Sequence, residues 1–319
     1  MGAVDRIDRA ERSRAADGLP ITHTSSPTAQ RWEGLAMVAP ALLLVAIFTF
    51  YPVGRALYQS TRIESPIFKP RFVGVQNYLD VLTSSYFADA AVNTLRFAAV
   101  TVPLVVALGV LTALLLNESF VGNTLLRVGM LLPWALPATI AALIWKWIFL
   151  DSWGALNAGL YATGLIDNYI PWLTTPGLAR MAVTVVFLWT QLPLTAIFLL
   201  AALQAVPNEL YDAAAVDGAG VFRRFWSVTL PGIRPMLVIV ALYQTLMAFT
   251  NFDIVYALTQ GGPGTTTTML TYFTWVESFK KLDFGAGSAL AVIIALASLV
   301  VIVILVRAIP KGALVEERT

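Results

Sequence analysis

Few side chains in this chain suit bond-making chemistry. Its 319 residues hold no cysteine and one histidine, His23. Without cysteine there is no disulfide, thiolate metal site or thiol nucleophile. His23 lies in a polar stretch, Ile21-Thr22-His23-Thr24-Ser25-Ser26-Pro27, with no acid or second histidine beside it. It is read as solvated, since a lone imidazole makes a poor ligand set. The sequence therefore predicts no catalytic residue, no metal site and no bound cofactor. What remains is charge and hydrogen bonding, in three places. Glu209, Asp212, Asp217, Arg223 and Arg224 cluster in one short window. Gln244, Thr245, Asn251 and Phe252 form a polar-aromatic set, with Gln191 a weaker candidate of the same kind. Arg96, Lys146 and Asp253 stand inside apolar runs, where a charge is costly and marks function by default. Arg96 and Lys146 lie near run ends, where a long side chain reaches polar surroundings.

The elements that hold these residues are apolar. The composition is 58% hydrophobic and 13% charged, against about a quarter charged in average soluble domains. A folded surface in water needs more polar groups than this chain has. A helix crossing ~30 Å of hydrocarbon needs ~20 mostly apolar residues. Six runs qualify, at about 35–56, 94–116, 126–150, 182–203, 236–258 and 287–309. They are apolar on all sides and do not alternate with period two, so the fold class is all-α, a six-helix membrane bundle and not a barrel. Pro40, Pro103, Pro133, Pro137 and Pro193 lie inside the runs, where neighbouring helices in a membrane bundle tolerate them as kinks. Trp145, Trp147, Trp153 and Trp172 cluster at the end of the third run, the place of an interfacial aromatic belt. Residues 1–32 are a polar N-terminal tail, and 311–319 a short C-terminal one. With both termini inside, twelve Lys and Arg face the cytoplasm and seven face out, which favours cytoplasmic termini. The net charge of +2 gives no sign of nucleic acid.

The charged window, residues 205–231, then falls on the cytoplasmic side between runs four and five. Asn208 after Pro207 suits an N-cap, with Glu209 and Asp212 near the positive end of the helix. Gly218 and Gly220 break that helix, and a second short one is expected from about Val221 to Pro231. In run five, spacing at 100° per residue puts Gln244, Ala248, Asn251 and Val255 on one face, with Thr245 and Phe252 beside it and Asp253 opposite. That stripe is either a lining for a hydroxylated solute or a source of interhelical hydrogen bonds. Arg223 and Arg224 suit lipid headgroups or a protein partner alike.

The window resembles the EAA loop of ABC importer permeases, E-A-A, three residues, G, nine residues, I-x-L-P. Asp212-Ala213-Ala214, Gly218 and Val228-Thr229-Leu230-Pro231 fall on that spacing, with Asp for the leading Glu and Val for Ile. Further stretches are similar to sugar permeases: Phe72-Val73-Gly74-Val75-Gln76-Asn77-Tyr78, Leu131-Leu132-Pro133-Trp134-Ala135-Leu136-Pro137, and Leu258-Thr259-Gln260-Gly261-Gly262-Pro263. Gly261-Gly262-Pro263 is first a turn, and in this resemblance also a feature of the outer mouth. The N-terminal tail has no counterpart in it.

The resemblance implies a transmembrane domain over 33–310, paired as a heterodimer with a sister permease. It implies two copies of an ABC ATPase that consume the ATP and Mg, and an extracytoplasmic binding protein that delivers a carbohydrate. The chain lacks the G-x-x-x-x-G-K-[ST] phosphate loop, so hydrolysis belongs to that other subunit and this one is no enzyme. Glu209, Asp212, Ala213, Ala214, Asp217, Gly218, Arg223, Leu230 and Pro231 become the ATPase-coupling set. Gln191, Gln244, Thr245, Ala248, Asn251 and Phe252 become the substrate path. A permease for a polyol, phosphodiester or amino acid is the alternative. A secondary transporter would need more intramembrane carboxylates than Asp253, and a membrane enzyme would need clustered His or acids.

Overall fold

The structure, a computed structural model, describes the backbone of residues 27–307 and the side chains of 36–307. His23 and most of both expected tails lie outside the described residues. The chain divides into two compact units at Arg55 and Ala56. The described part of the first unit is helix, Pro27–Val45 followed by a π-helical turn at Ala46–Phe50 and the start of Tyr51–Ser60.

The second unit carries the rest. Besides the first span, Ala36–Ser60, four helices are long and apolar enough to cross a bilayer: Ser85–Asn117, Pro176–Gln204, Val221–Phe249 and Phe284–Arg307. They are called here the second, fourth, fifth and sixth spans. The third is broken. Asn123–Ala135 and Ala138–Ile148 meet at a 96° bend, where one kinked crossing over about 126–150 was expected. The cause is Pro137, which offers no N–H and forces Leu136 to extended angles, φ −78° and ψ 139°.

The fifth run also departs from expectation, at both ends. Its helix stops at Phe249 and a separate short helix, Asp253–Leu258, follows Asn251 and Phe252. Asp253 therefore begins a new helix instead of facing away from the stripe, and its Oδ1 accepts from Thr139 Oγ1 at 3.0 Å. At the other end the helix starting at Val221 does not stop at Pro231. A π-helical turn at Phe225–Thr229 precedes the proline, and the helix continues unbroken to Phe249. The wider turn re-registers the hydrogen bonds just where proline cannot donate.

The second and fourth spans pack side by side, and the fifth packs on both. Lipid tails are as apolar as leucine, so this packing rests on close contact, not on escape from water. Gly109 makes it possible, since a Cβ there would land on Thr195 of the fourth span. Phe97 and Phe187 close the same seam edge to face at 5.1 Å. Outward faces stay apolar, with Leu111, Leu115, Leu299 and Val300 all exposed, as lipid-facing surfaces are.

The loops between spans are pinned by single residues. Asn77 donates to Ser60 O and Arg62 O, both at 2.8 Å, and Tyr78 OH donates to Ser60 Oγ at 2.7 Å. They hold a two-residue antiparallel ladder, Arg62–Ile63 with Arg71–Phe72, against the start of the sixth span, where Phe284 N donates to Glu64 O. In the next loop the Asn157 carbonyl accepts from Ile170 N and Trp172 Nε1, while its amide donates to Ile170 O.

Candidate coupling loop and central helix face

The loop after the fourth span begins at Pro207, which takes the N-cap position expected for Asn208 and makes no side-chain cap bond. Helix Asn208–Val216 follows, with Glu209 in its first turn. It ends in a double C-cap. Gly218, at φ +73°, donates its N–H to Ala215 O at 3.0 Å, and Ala219 N–H donates to Ala214 O at 2.9 Å. These are the two bonds of a Schellman motif, which needs a left-handed residue at the position Gly218 holds. Gly220 is extended and starts the fifth span.

Two contacts fix this hairpin to the bundle. Tyr211 OH donates to Thr229 Oγ1 at 3.2 Å. Val206 fills the space over Gly232, where a Cβ would stand 2.8 Å from Val206 Cγ2. Of the expected coupling set, Glu209, Asp212, Ala213, Asp217, Gly218, Arg223 and Pro231 are exposed, while Ala214 and Leu230 are half-buried. The sequence reading emphasised charge and missed an apolar component. Leu210, Val216, Val221, Phe222 and Trp226 are all exposed on the same loop. The available signal was their position outside the spans: large apolar residues in a polar-facing loop mark a partner surface.

The central stripe is inside the packing. Gln244, Thr245, Ala248 and Asn251 are buried and Phe252 is half-buried. Gln244 Nε2 donates to Thr195 Oγ1 of the fourth span at 2.7 Å, and that hydroxyl donates to Gln191 O at 3.0 Å. So the interhelical hydrogen bond exists. Three polar atoms of the set are buried with no protein partner: Gln191 Oε1, Gln244 Oε1 and Asn251 Nδ2. Buried polar atoms are rarely left unpaired, so this concentration in one place needs a reason. Beyond the stripe the break at Asn251 and Phe252 opens onto an aromatic cluster that sequence spacing could not reveal. Phe252 stacks on Tyr256 at 5.2 Å, Tyr256 meets Trp275 at 4.9 Å and Tyr272 stacks on Trp275 at 5.6 Å.

Gly261, at φ +80°, has no room for a side chain: a Cβ would stand 2.6 Å from Thr268 Oγ1 and 2.8 Å from Tyr272 Cε1. The turn it begins is tied to the second span through Asn93, whose amide donates to Thr265 O and Thr268 O.

A family model described as the binding-protein-dependent transport system inner membrane component matches residues 105–311, from within the second span past the end of the sixth. The chain belongs to that family. It is an all-α, multi-pass membrane component of an importer, as the six runs and the loop motif led one to expect. The matched region contains the whole coupling loop and the whole central stripe. Two curated relatives extend the likeness. The sulfoquinovosyl glycerol transport system permease protein of Agrobacterium fabrum is 36% identical over 88% of this chain and 91% of its own length. The trehalose/maltose transport system permease protein of Thermococcus litoralis is 37% identical over 82% of this chain and 88% of its own. Among solved structures, a bacterial ABC transporter involved in the import of the acidic polysaccharide alginate superposes with a TM-score of 0.78. It covers 89% of this chain and 98% of that one at 22% identity, a likeness of fold. For a member of this family, the Schellman-capped hairpin and the stripe are the two features with candidate work to do.

Proposed function

We propose that this permease forms, with a sister permease, the path of an ATP-driven importer for a sugar or sugar-like solute, and that the 205–231 loop receives the power stroke. The observation that carries the cargo is the pair of relatives above, each more than a third identical over most of the chain and each named for a glycoside or disaccharide. The interior supports the same cargo: amides and hydroxyls near stacked rings suit a solute with many hydroxyls and apolar ring faces. The loop supports the coupling. Its exposed helix Asn208–Val216 presents Asp212 and Asp217 beside an apolar tip, on a hairpin bonded to the bundle at Thr229. A push on that helix passes straight into the fifth span, because the helix from Val221 continues without a break to the stripe. The other subunits are two copies of an ABC ATPase, which use the ATP and Mg, and a binding protein on the far side. Both termini and the loop face the cytoplasm. The test is uptake by proteoliposomes holding the full complex, loaded with ATP inside and offered the binding protein with a panel of labelled mono- and disaccharides, polyols and amino acids outside. Uptake of a saccharide supports the reading. Uptake of an amino acid alone overturns the cargo.

A further inference from the structure

A second feature lies away from the loop and the stripe. A groove of about 470 Å³ lies between the second and fourth spans. Phe97, Val100 and Leu104 line it from the second span, and Met181 and Val183 from the fourth, with Met269 behind. At its mouth stand two arginines, Arg96 and Arg180. Both also border a more polar hollow of about 330 Å³ that includes Asp89 and Thr266.

Three observations bear on the occupant. Arg96 and Arg180 each stand within about two residues of where an apolar run begins, at about 94 and about 182. The end of such a run is where a bilayer interface falls. Among the described residues neither arginine makes a side-chain ion pair, and both are exposed. The acid in the hollow, Asp89, is engaged by Thr265 Oγ1 at 2.8 Å instead. Beyond Arg96 the second-span lining, Phe97, Val100 and Leu104, is apolar over eight residues, or about 12 Å of helix, and Thr184 is the one polar residue of the fourth-span lining past Arg180.

A cationic mouth at headgroup level above an apolar trough matches one ligand class. We propose that this groove seats an acidic glycerophospholipid. Its phosphate lies between Arg96 and Arg180, whose planar guanidinium groups pair with phosphate in a bidentate manner. One acyl chain lies along Phe97, Val100 and Leu104, and headgroup hydroxyls point toward Asp89 and Thr266. The lipid would then wedge the second and fourth spans, the pair that grips the fifth.

The test uses the protein purified from membranes with its co-purifying subunits, then delipidated. Palmitoyl-oleoyl phosphatidylglycerol and the phosphatidylcholine of the same chains are titrated in native mass spectrometry. The expected result is a phosphatidylglycerol adduct at least tenfold better retained. That preference disappears in Arg96→Gln/Arg180→Gln and survives in Lys69→Gln, an exposed base of the outer loop. Val100→Trp, which fills the trough and keeps both charges, loses the adduct too. If the double variant does not fold, Val100→Trp and a photo-crosslinker at Leu104 decide. Equal retention of both lipids, a preference that survives the loss of both arginines or the filled trough, or crosslinking from Leu104 to protein and not to lipid overturns the proposal.

Discussion

At Gly218 the backbone is left-handed, and the space where a Cβ would stand is open. The glycine is there for its φ, not for want of room. Gly218→Ala should cost the loop about 1 kcal/mol, seen as a small fall in thermal midpoint with coupling retained. Gly218→Pro does more, because it also removes the N–H that donates to Ala215 O. Asp212 is exposed and free to act by charge, so Asp212→Glu should be nearly silent while Asp212→Lys is not. In the core, Gln244 holds Thr195 with one end and leaves its other end unpaired. Gln244→Ala and Asn251→Ala should weaken transport by up to about tenfold with the complex still assembled, the scale of one lost hydrogen bond at ~0.5–1.5 kcal/mol. Thr195→Val separates the readings. If Gln244 serves only to join two helices, Thr195→Val should reproduce its transport defect in full; if Gln244 meets solute, the Michaelis constant should rise in Gln244→Ala and stay near wild type in Thr195→Val.

Elements were legible where composition alone decides them and illegible where one backbone angle does. Five of the six apolar runs correspond to membrane-length helix and the third to a bent pair, because about twenty apolar residues have few other fates. Their ends were missed: the second and fourth spans begin at Ser85 and Pro176, several residues before the hydrocarbon would require, the second behind the Ser84 cap and the fourth on Pro176 at its first position. Pro137 was expected to kink the third run and instead breaks it, because Leu136 must be extended before it. Pro231 was expected to end a helix and does not, because a π-helical turn absorbs the missing donor. The break after Phe249 carries no proline or glycine, so nothing local announced it; it is held from outside, with Thr271 Oγ1 donating to Asn251 O and Thr139 to Asp253. The loop's charges were read and its apolar tip was missed, since exposure is a property of the fold and the tip's position outside the spans was the only signal for it. The G-G-P turn gives the element-scale prediction. Gly261→Ala meets both a left-handed φ and a filled space, whereas Gly264→Ala at φ +58° meets only the angle. The first should lower the thermal midpoint of the purified complex clearly more than the second, on the order of 2 kcal/mol against 1.

On the proposed reading the molecule works as a lever: an exposed hairpin, a helix running from it into the bundle, and buried polar atoms without a protein partner toward the far end of that helix. The proposed orientation, with the hairpin on the cytoplasmic side, rests on the Lys and Arg count. Single cysteines placed at 217 and 167 of this cysteine-free chain should behave oppositely toward an impermeant thiol reagent on intact cells, with 167 labelled and 217 protected. The reverse pattern would turn the lever outward and remove its partner. The most direct test of the account is ATP hydrolysis by the complete transporter in nanodiscs, with and without loaded binding protein, alongside co-purification of the ATPase. For Gly218→Pro and Asp212→Lys the account predicts intact insertion of the spans but loss of stimulated hydrolysis, or loss of the ATPase from the complex, with Asp212→Glu close to wild type. Full stimulation and full uptake in both Gly218→Pro and Asp212→Lys would contradict it.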